Sequence, residues 1–119
     1  EGRSVFRYAV TDMSNDVLEI MKRNDLSAGD VDWVVPHEAN LRIIEAVAKR
    51  AELPMDKVAI NIQHYGNTSA ATIPLALWDY ESKLKKGDNV IFTAFGAGFV
   101  HGASFFKWAY DGADAVTRK

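Results

Sequence analysis

The stretch Asp32-Trp33-Val34-Val35-Pro36-His37-Glu38-Ala39-Asn40-Leu41-Arg42 decides the fold class. Residues 32–36 form a short apolar run that reads as a buried strand, and Pro36 and the polar residues after it close the run. Asn40 then stands where a helix cap is needed, because Ile44, Val47, Ala48 and Ala51 follow at i, i+3, i+4 and i+7. A strand that turns into a one-faced helix within a few residues is a unit of an α/β protein.

Upstream, Phe6, Ala9, Val10, Met13, Val17, Ile20 and Met21 recur at spacings of three and four. They predict one buried stripe on a long helix with Ser4 as its N-cap, and residues 24–30, with Ser27, Gly29 and two aspartates, predict a loop. Downstream, the second helix ends before Pro54. Residues 58–62 predict a strand, and Gln63-His64-Tyr65-Gly66-Asn67 a polar loop after it. Residues 68–86 predict a helix that is apolar nearly all round at first, kinks or starts late at Pro74, and turns polar from Glu81. Residues 90–95 and 100–108 predict two strands joined through Gly96-Ala97-Gly98. The order α-β-α-β-α-β-β calls for a mixed, mostly parallel sheet with helices on its faces and an antiparallel last strand. We expect residues 1–110 to form one domain and residues 111–119, poor in apolar side chains, to be a disordered tail.

Composition narrows the function. A chain of 119 residues, 48% hydrophobic and 25% charged, can bury one core, and it holds no run of the roughly 18 apolar residues that a membrane span needs. A net charge of -2 argues against a general nucleic-acid binder. With no cysteine, the chain carries no disulfide, no thiolate metal site and no cysteine nucleophile of its own. It begins at Glu1 and shows no secretory pattern, so we expect it to be cut from a longer protein.

In an open α/β sheet, ligands bind at the carboxyl ends of the parallel strands. His37, Gly66-Asn67 and Gly96-Ala97-Gly98 each follow a predicted strand and would meet at that edge. A neutral imidazole and a carboxamide both donate hydrogen bonds, and so do the amides of a glycine turn. Together they can hold oxygens that become negative, which suits carbon or acyl transfer through thioesters. Each residue alone also has a plainer reading. A histidine at a strand end is commonly a hydrogen-bonded structural residue, and a Gly-Asn pair commonly makes a turn or cap. His64 and His101 read as surface or packing residues, and the three histidines have no zinc spacing, so no metal is expected. Gly96-x-Gly98 is not a dinucleotide turn, since His101 occupies the third glycine position and a strand follows.

Taken together, Pro36-His37-Glu38-Ala39-Asn40-Leu41-Arg42, Gly66-Asn67-Thr68-Ser69-Ala70-Ala71 and Ala94-Phe95-Gly96-Ala97-Gly98-Phe99 resemble the carboxyl-terminal half of β-ketoacyl-acyl-carrier-protein synthase III over nearly the whole chain. The resemblance implies a thiolase-type fold of two similar halves and the condensation of an acyl-CoA, acetyl-CoA by expectation, with malonyl carrier protein at the start of fatty-acid synthesis. It implies that His37 and Asn67 belong to a Cys-His-Asn triad whose Cys lies in the amino-terminal half. It makes Phe95 a buttress, and Gly96, Ala97 and Gly98 the active-site loop, with the Ala97 amide in an oxyanion hole. Gly2, Phe6, Ala39, Asn40 and Ile43 match positions lining the pantetheine channel, and Arg7, Arg42, Lys49 and Arg50 match a basic patch for the acyl carrier protein. Arg42, Lys49 and Arg50 also fit a merely solvated helix face, with Glu45 and Lys49 spaced to pair. Two positions depart from the family pattern: Ala97 stands within its three-glycine turn, and Glu38 replaces a common Gln.

The resemblance further implies no cofactor, CoA and phosphopantetheine thioesters being substrates, a homodimer when the protein is whole, and a cytoplasmic location. The trimmed chain would be inactive and prone to self-association. Two other readings stay open: another thiolase-fold acyltransferase or polyketide-type synthase, and a non-catalytic binding module.

Overall fold

The computed structural model describes residues 2–37, 40–60, 80–96 and 100–113, with the backbone alone at residues 2, 3, 96 and 100. Helix α1 spans Gly2–Arg23. The expected stripe is its buried face, and Ala9, Met13 and Val17 are fully shielded from solvent. Ser4 lies inside α1 rather than at its start, which corrects the expected N-cap: the apolar stripe locates the helix but not its first turn. At the other end Lys22 and Arg23 sit in the last turn, where the helix dipole favours cations. Asp25 then takes a left-handed conformation (φ 53°), and the Leu26 amide donates back to the Met21 carbonyl at 2.9 Å, closing the helix as a Schellman-type turn does.

Strand β1 is Trp33–His37, and helix α2 is Leu41–Arg50. Asn40 caps α2 as its position predicts, its Oδ1 accepting from the Arg42 amide at 2.9 Å and from the Ile43 amide at 3.4 Å. The buried face of α2 is Ile43, Ile44, Val47 and Ala48. Glu52, at φ 58°, ends it with the Leu53 amide donating to the Ala48 carbonyl at 2.8 Å. The chain then makes a short 3-10 turn at Met55–Lys57 and returns to the sheet.

Strands β2 (Asn89–Gly96) and β3 (Val100–Lys107) complete the described sheet, ordered β1-β2-β3. β1 and β2 are parallel, from Trp33 opposite Val90 to His37 opposite Ala94. β2 and β3 are antiparallel, from Asn89 opposite Lys107 to Gly96 opposite Val100. Val58 bridges Val34 in parallel from the other side of β1, and the Ala59 amide donates to the Val34 carbonyl at 2.8 Å. Of the strand expected over 58–62, this bridge is what the described residues contain. The α/β class and the antiparallel last strand are as expected.

Strand pleating sorts side chains by period two. Val34 and Ile91 face α1 and α2 in the main core, with Phe95, Ala103 and Phe105 packed at its margin. Val35 and Val90 face the other way, forming a second cluster with Ala59 and Leu84 and flanked by Trp33, Tyr80, Phe92 and Trp108. The helix expected to run to Lys86 stops earlier. Tyr80 is its last helical residue, Glu81–Lys83 is a 3-10 turn, and Leu84 leaves in extended backbone (φ -80°, ψ 134°) to bury itself in the second cluster. Burial of one large apolar side chain outweighs the local helix preference of a polar segment.

The chain beyond β3 ties back to this turn. The Lys86 amide donates to Asp111 Oδ1 at 3.0 Å, and the Gly112 amide donates to the Leu84 carbonyl at 2.8 Å. A Cβ on Gly112 would lie 1.6 Å from the Glu81 carbonyl oxygen, so only glycine fits. Residues 114–119 of the expected tail lie outside the described residues.

Two stability measurements check this account. Asn40→Ala removes the cap of α2 and is expected to cost about 1 kcal/mol in denaturant unfolding, with Asn40→Asp close to wild type. Gly112→Ala drives a methyl into backbone and is expected to cost about 1–3 kcal/mol, read as a fall in Tm.

Candidate active site

Parallel pairing of β1 and β2 brings their carboxyl ends to one edge of the sheet. His37 is the last residue of β1 and half-buried; it pairs in register with Ala94, so Phe95 and Gly96 stand immediately beyond it on β2. Pleating puts His37 on the face of Trp33 and Val35, and Phe95 on the opposite face, against the main core under α1 and α2. Val58 runs parallel to β1, so that segment heads for the same edge, where the Ile60 carbonyl accepts from the Tyr80 hydroxyl at 3.1 Å. The structure thus gathers His37, Phe95 and Gly96. Asn67, Ala39, Ala97 and Gly98, with Glu38, lie outside the described residues.

On the His37 face the described residues leave a depression beside β2 and β3. Shallow and about 370 Å³ in volume, it is lined by Phe92, Thr93, Ala94, Gly102, Ala103 and Ser104, and Phe106 beyond it is 49% exposed. Small residues at 94, 102 and 104 leave room next to the strand end that carries His37. By contrast, the void of about 10 Å³ among Met13, Val17, Val34, Pro36, Ile44 and Val47 has a wholly apolar lining, and it is a packing gap in the core. No cluster of three metal-ligating side chains occurs among the described residues, and none of their helices is long and apolar enough to cross a membrane.

The expected channel positions fall near one another on α1 and α2. Phe6 is half-buried, and the Arg42 guanidinium lies 5.5 Å from its ring centre, a cation–π contact joining the two helices. Gly2 is in the first turn of α1, Asn40 caps α2, and Ile43 is buried in the core. Ile43 therefore shapes this region from beneath, through packing. Arg7, Arg42, Lys49 and Arg50 are all exposed. Arg50 Nη1 donates to Thr11 Oγ1 at 3.4 Å, fastening α2 to α1. The Glu45–Lys49 pair that the spacing allows is not among the ion pairs of the described residues, and none of those pairs engages the four cations. Their charge is left facing solvent.

One arrangement was not foreseen from sequence. His101 Nδ1 is 2.6 Å from Asp16 Oδ2, and its Nε2 is 3.8 Å from Asp12 Oδ2. The hydrogen bond to Asp16 raises the imidazole pKa, burial opposes this, and the two carboxylate charges add to the rise. Two aspartates one turn apart on α1 signal a need for a cation. Nothing in the spacing says that it comes from β3.

Comparison with known proteins agrees with this geometry. Residues 21–108 match the family described as 3-oxoacyl-[acyl-carrier-protein (ACP)] synthase III C terminal. The chain is 66% identical over 112 residues to β-ketoacyl-[acyl-carrier-protein] synthase III 2 of Bacteroides thetaiotaomicron, covering 94% of this chain and 33% of that protein. It is 64% identical over 113 residues to a β-ketoacyl-[acyl-carrier-protein] synthase III of Phocaeicola vulgatus, covering 95% and 34%. The crystal structure of a 3-oxoacyl-(acyl carrier protein) synthase III from Pseudomonas aeruginosa superposes with a TM-score of 0.86 at 42% identity, covering 92% of this chain and 35% of that one. The chain spans about a third of the length of these relatives. A match over most of the chain, on a fold of the same topology, leaves one conclusion: the chain belongs to the 3-oxoacyl-[acyl-carrier-protein] synthase III family and corresponds to its C-terminal region.

Proposed function

We propose that this chain supplies the His and Asn of a Cys-His-Asn active site in a β-ketoacyl-acyl-carrier-protein synthase III, which condenses an acyl-CoA, acetyl-CoA in the first instance, with malonyl carrier protein. The observation that carries the reading is the parallel register of β1 and β2, in which His37 opposite Ala94 stands beside the strand end that leads into Gly96-Ala97-Gly98. The nucleophilic Cys belongs to the remainder of the protein. The reaction is the start of fatty-acid synthesis, and the whole enzyme is a cytoplasmic homodimer.

The chemistry follows from where charge accumulates. The thiolate attacks the acyl-CoA carbonyl and the C–S bond to CoA breaks, expelling CoA as its thiolate, which takes a proton from solvent, and giving an acyl-enzyme. Malonyl carrier protein then loses carbon dioxide, and the electron pair of the broken C–C bond passes into a thioester enolate. Neutral His37 and Asn67 each donate a hydrogen bond to the enolate oxygen, which lowers the barrier to decarboxylation. The enolate carbon attacks the acyl carbonyl, the Ala97 amide holds the resulting oxyanion, and collapse expels the cysteine thiolate. No cofactor enters, since both thioesters are substrates. Phe6 and Asn40 border the pantetheine arm with Gly2 and Ala39, and Ile43 supports them from the core. Arg7, Arg42, Lys49 and Arg50 attract the acidic carrier protein, which complementary charge favours.

Two measurements on the intact protein test the reading. His37→Ala and Asn67→Ala are each expected to slow malonyl decarboxylation about 100- to 1,000-fold, the usual effect of removing one oxyanion donor; wild-type rates in both would overturn the assignment. Arg42→Glu is expected to raise KM for malonyl carrier protein on the order of tenfold while acyl transfer from CoA stays near wild type. Equal losses in both half-reactions would remove Arg42 from the docking surface.

A further inference from the structure

Asp12 and Asp16 lie one turn apart on the face of α1 that packs toward β3, and each carboxylate disfavours the other. The imidazole of His101 reaches both, at 2.6 Å to Asp16 and 3.8 Å to Asp12, with 35% of its side chain exposed. His101 pairs with Phe95, one rung before the ladder closes at Gly96 opposite Val100. The contact therefore ties this end of the β2–β3 ladder to the middle of α1, across 85 residues of sequence.

We propose that His101, Asp16 and Asp12 form a proton-dependent clasp that pins the end of the β2–β3 ladder, at the Phe95–His101 pair, against α1. Protonated, the ring donates from both nitrogens, Nδ1 to Asp16 and Nε2 toward Asp12, and its charge offsets the repulsion between the two carboxylates. Neutral with the proton on Nδ1, it keeps the bond to Asp16 but turns a lone pair toward Asp12. The clasp then loses one arm, and the carboxylates face each other uncompensated. The other ionisable groups on the elements around the clasp are Tyr8 and Glu19 of α1, one turn to either side of the aspartates, Glu19 pairing with Arg23 at 2.8 Å, and Arg50 of α2, which donates to Thr11 Oγ1 at 3.4 Å; β2 has none between Asn89 and Gly96, and Lys107 is at the far end of β3, donating to Asn89 Oδ1 at 3.2 Å. Because the folded-state pKa of His101 is raised, the stabilisation is fully present below the ordinary histidine value of about 6.5 and is lost as pH rises through the higher folded value. His101 is a positioning residue, and the clasp stands whether or not the catalytic reading holds.

The test reads stability and titration in the intact protein, not turnover. Tm is measured from about pH 6 to about pH 9 for wild type, H101Q, D16N and the double variant. The clasp predicts that H101Q lowers Tm by on the order of 2 °C at the acid end, that the deficit shrinks as pH rises, and that the non-additivity of the two substitutions is largest at the acid end and shrinks along with the deficit. A constant deficit, or additive shifts throughout, would overturn it. The His101 ring-proton resonance, assigned by its loss in H101Q, gives a second reading. Its midpoint is expected above that of an ordinary histidine in wild type and lower in D16N, and a midpoint that D16N leaves unmoved would contradict the clasp.

Discussion

The parallel hydrogen-bonded pairing of β1 with β2 is the constraint on which the rest of the structure depends. It sets His37 opposite Ala94, and thereby puts the ends of two strands that are distant in sequence at one edge of the sheet. Helices cannot do this by themselves. A parallel pair needs a long crossover, and the chain between residues 37 and 89 provides it, through α2 and the parallel bridge at Val58. The site is therefore a consequence of topology before it is a consequence of any one side chain.

Packing then fixes how rigid that edge is. α1 and α2 bury the Val34 and Ile91 face, while Leu84, Ala59 and the aromatic residues around them bury the face of Val35 and Val90 under the start of the strands. Among the described residues, the sheet is thus packed on both faces, with a depression beside β2 and β3 lined by Phe92, Ala94, Gly102 and Ser104. Rigid support of this kind is what the proposed donors would require, since donors that must reorganise lose most of their effect on a developing charge. Arg7, Arg42, Lys49 and Arg50 of α1 and α2 are exposed.

Much of this was legible in the residues. The 3.6-residue stripe of α1, the Asn40 cap and the antiparallel pairing of the last two strands follow from local patterns, each of which has one physical meaning. The motif around His37 carried the family. What escaped were features set by tertiary contacts. Ser4 has the chemistry of a cap but sits within a helix that starts earlier. The segment through Leu84 has the polarity of a helix end, yet the second cluster pulls Leu84 out of helical geometry, and Gly112 closes over the turn that results. His101 reads from sequence as a surface or packing residue, and its partners lie on the first helix. Periodicity reports which face of an element is buried, and is silent on what arrives there from afar.

The account's central claim is that an imidazole and a carboxamide converge at this edge. A crystal structure of the intact protein measures it most directly, through the distance between the ring nitrogens of His37 and the side-chain nitrogen of Asn67. The account predicts that both lie within hydrogen-bonding reach, about 2.7–3.2 Å, of one common oxygen position beside the Gly96 turn. Side chains on opposite faces of the sheet, or too far apart to share an atom, would contradict it.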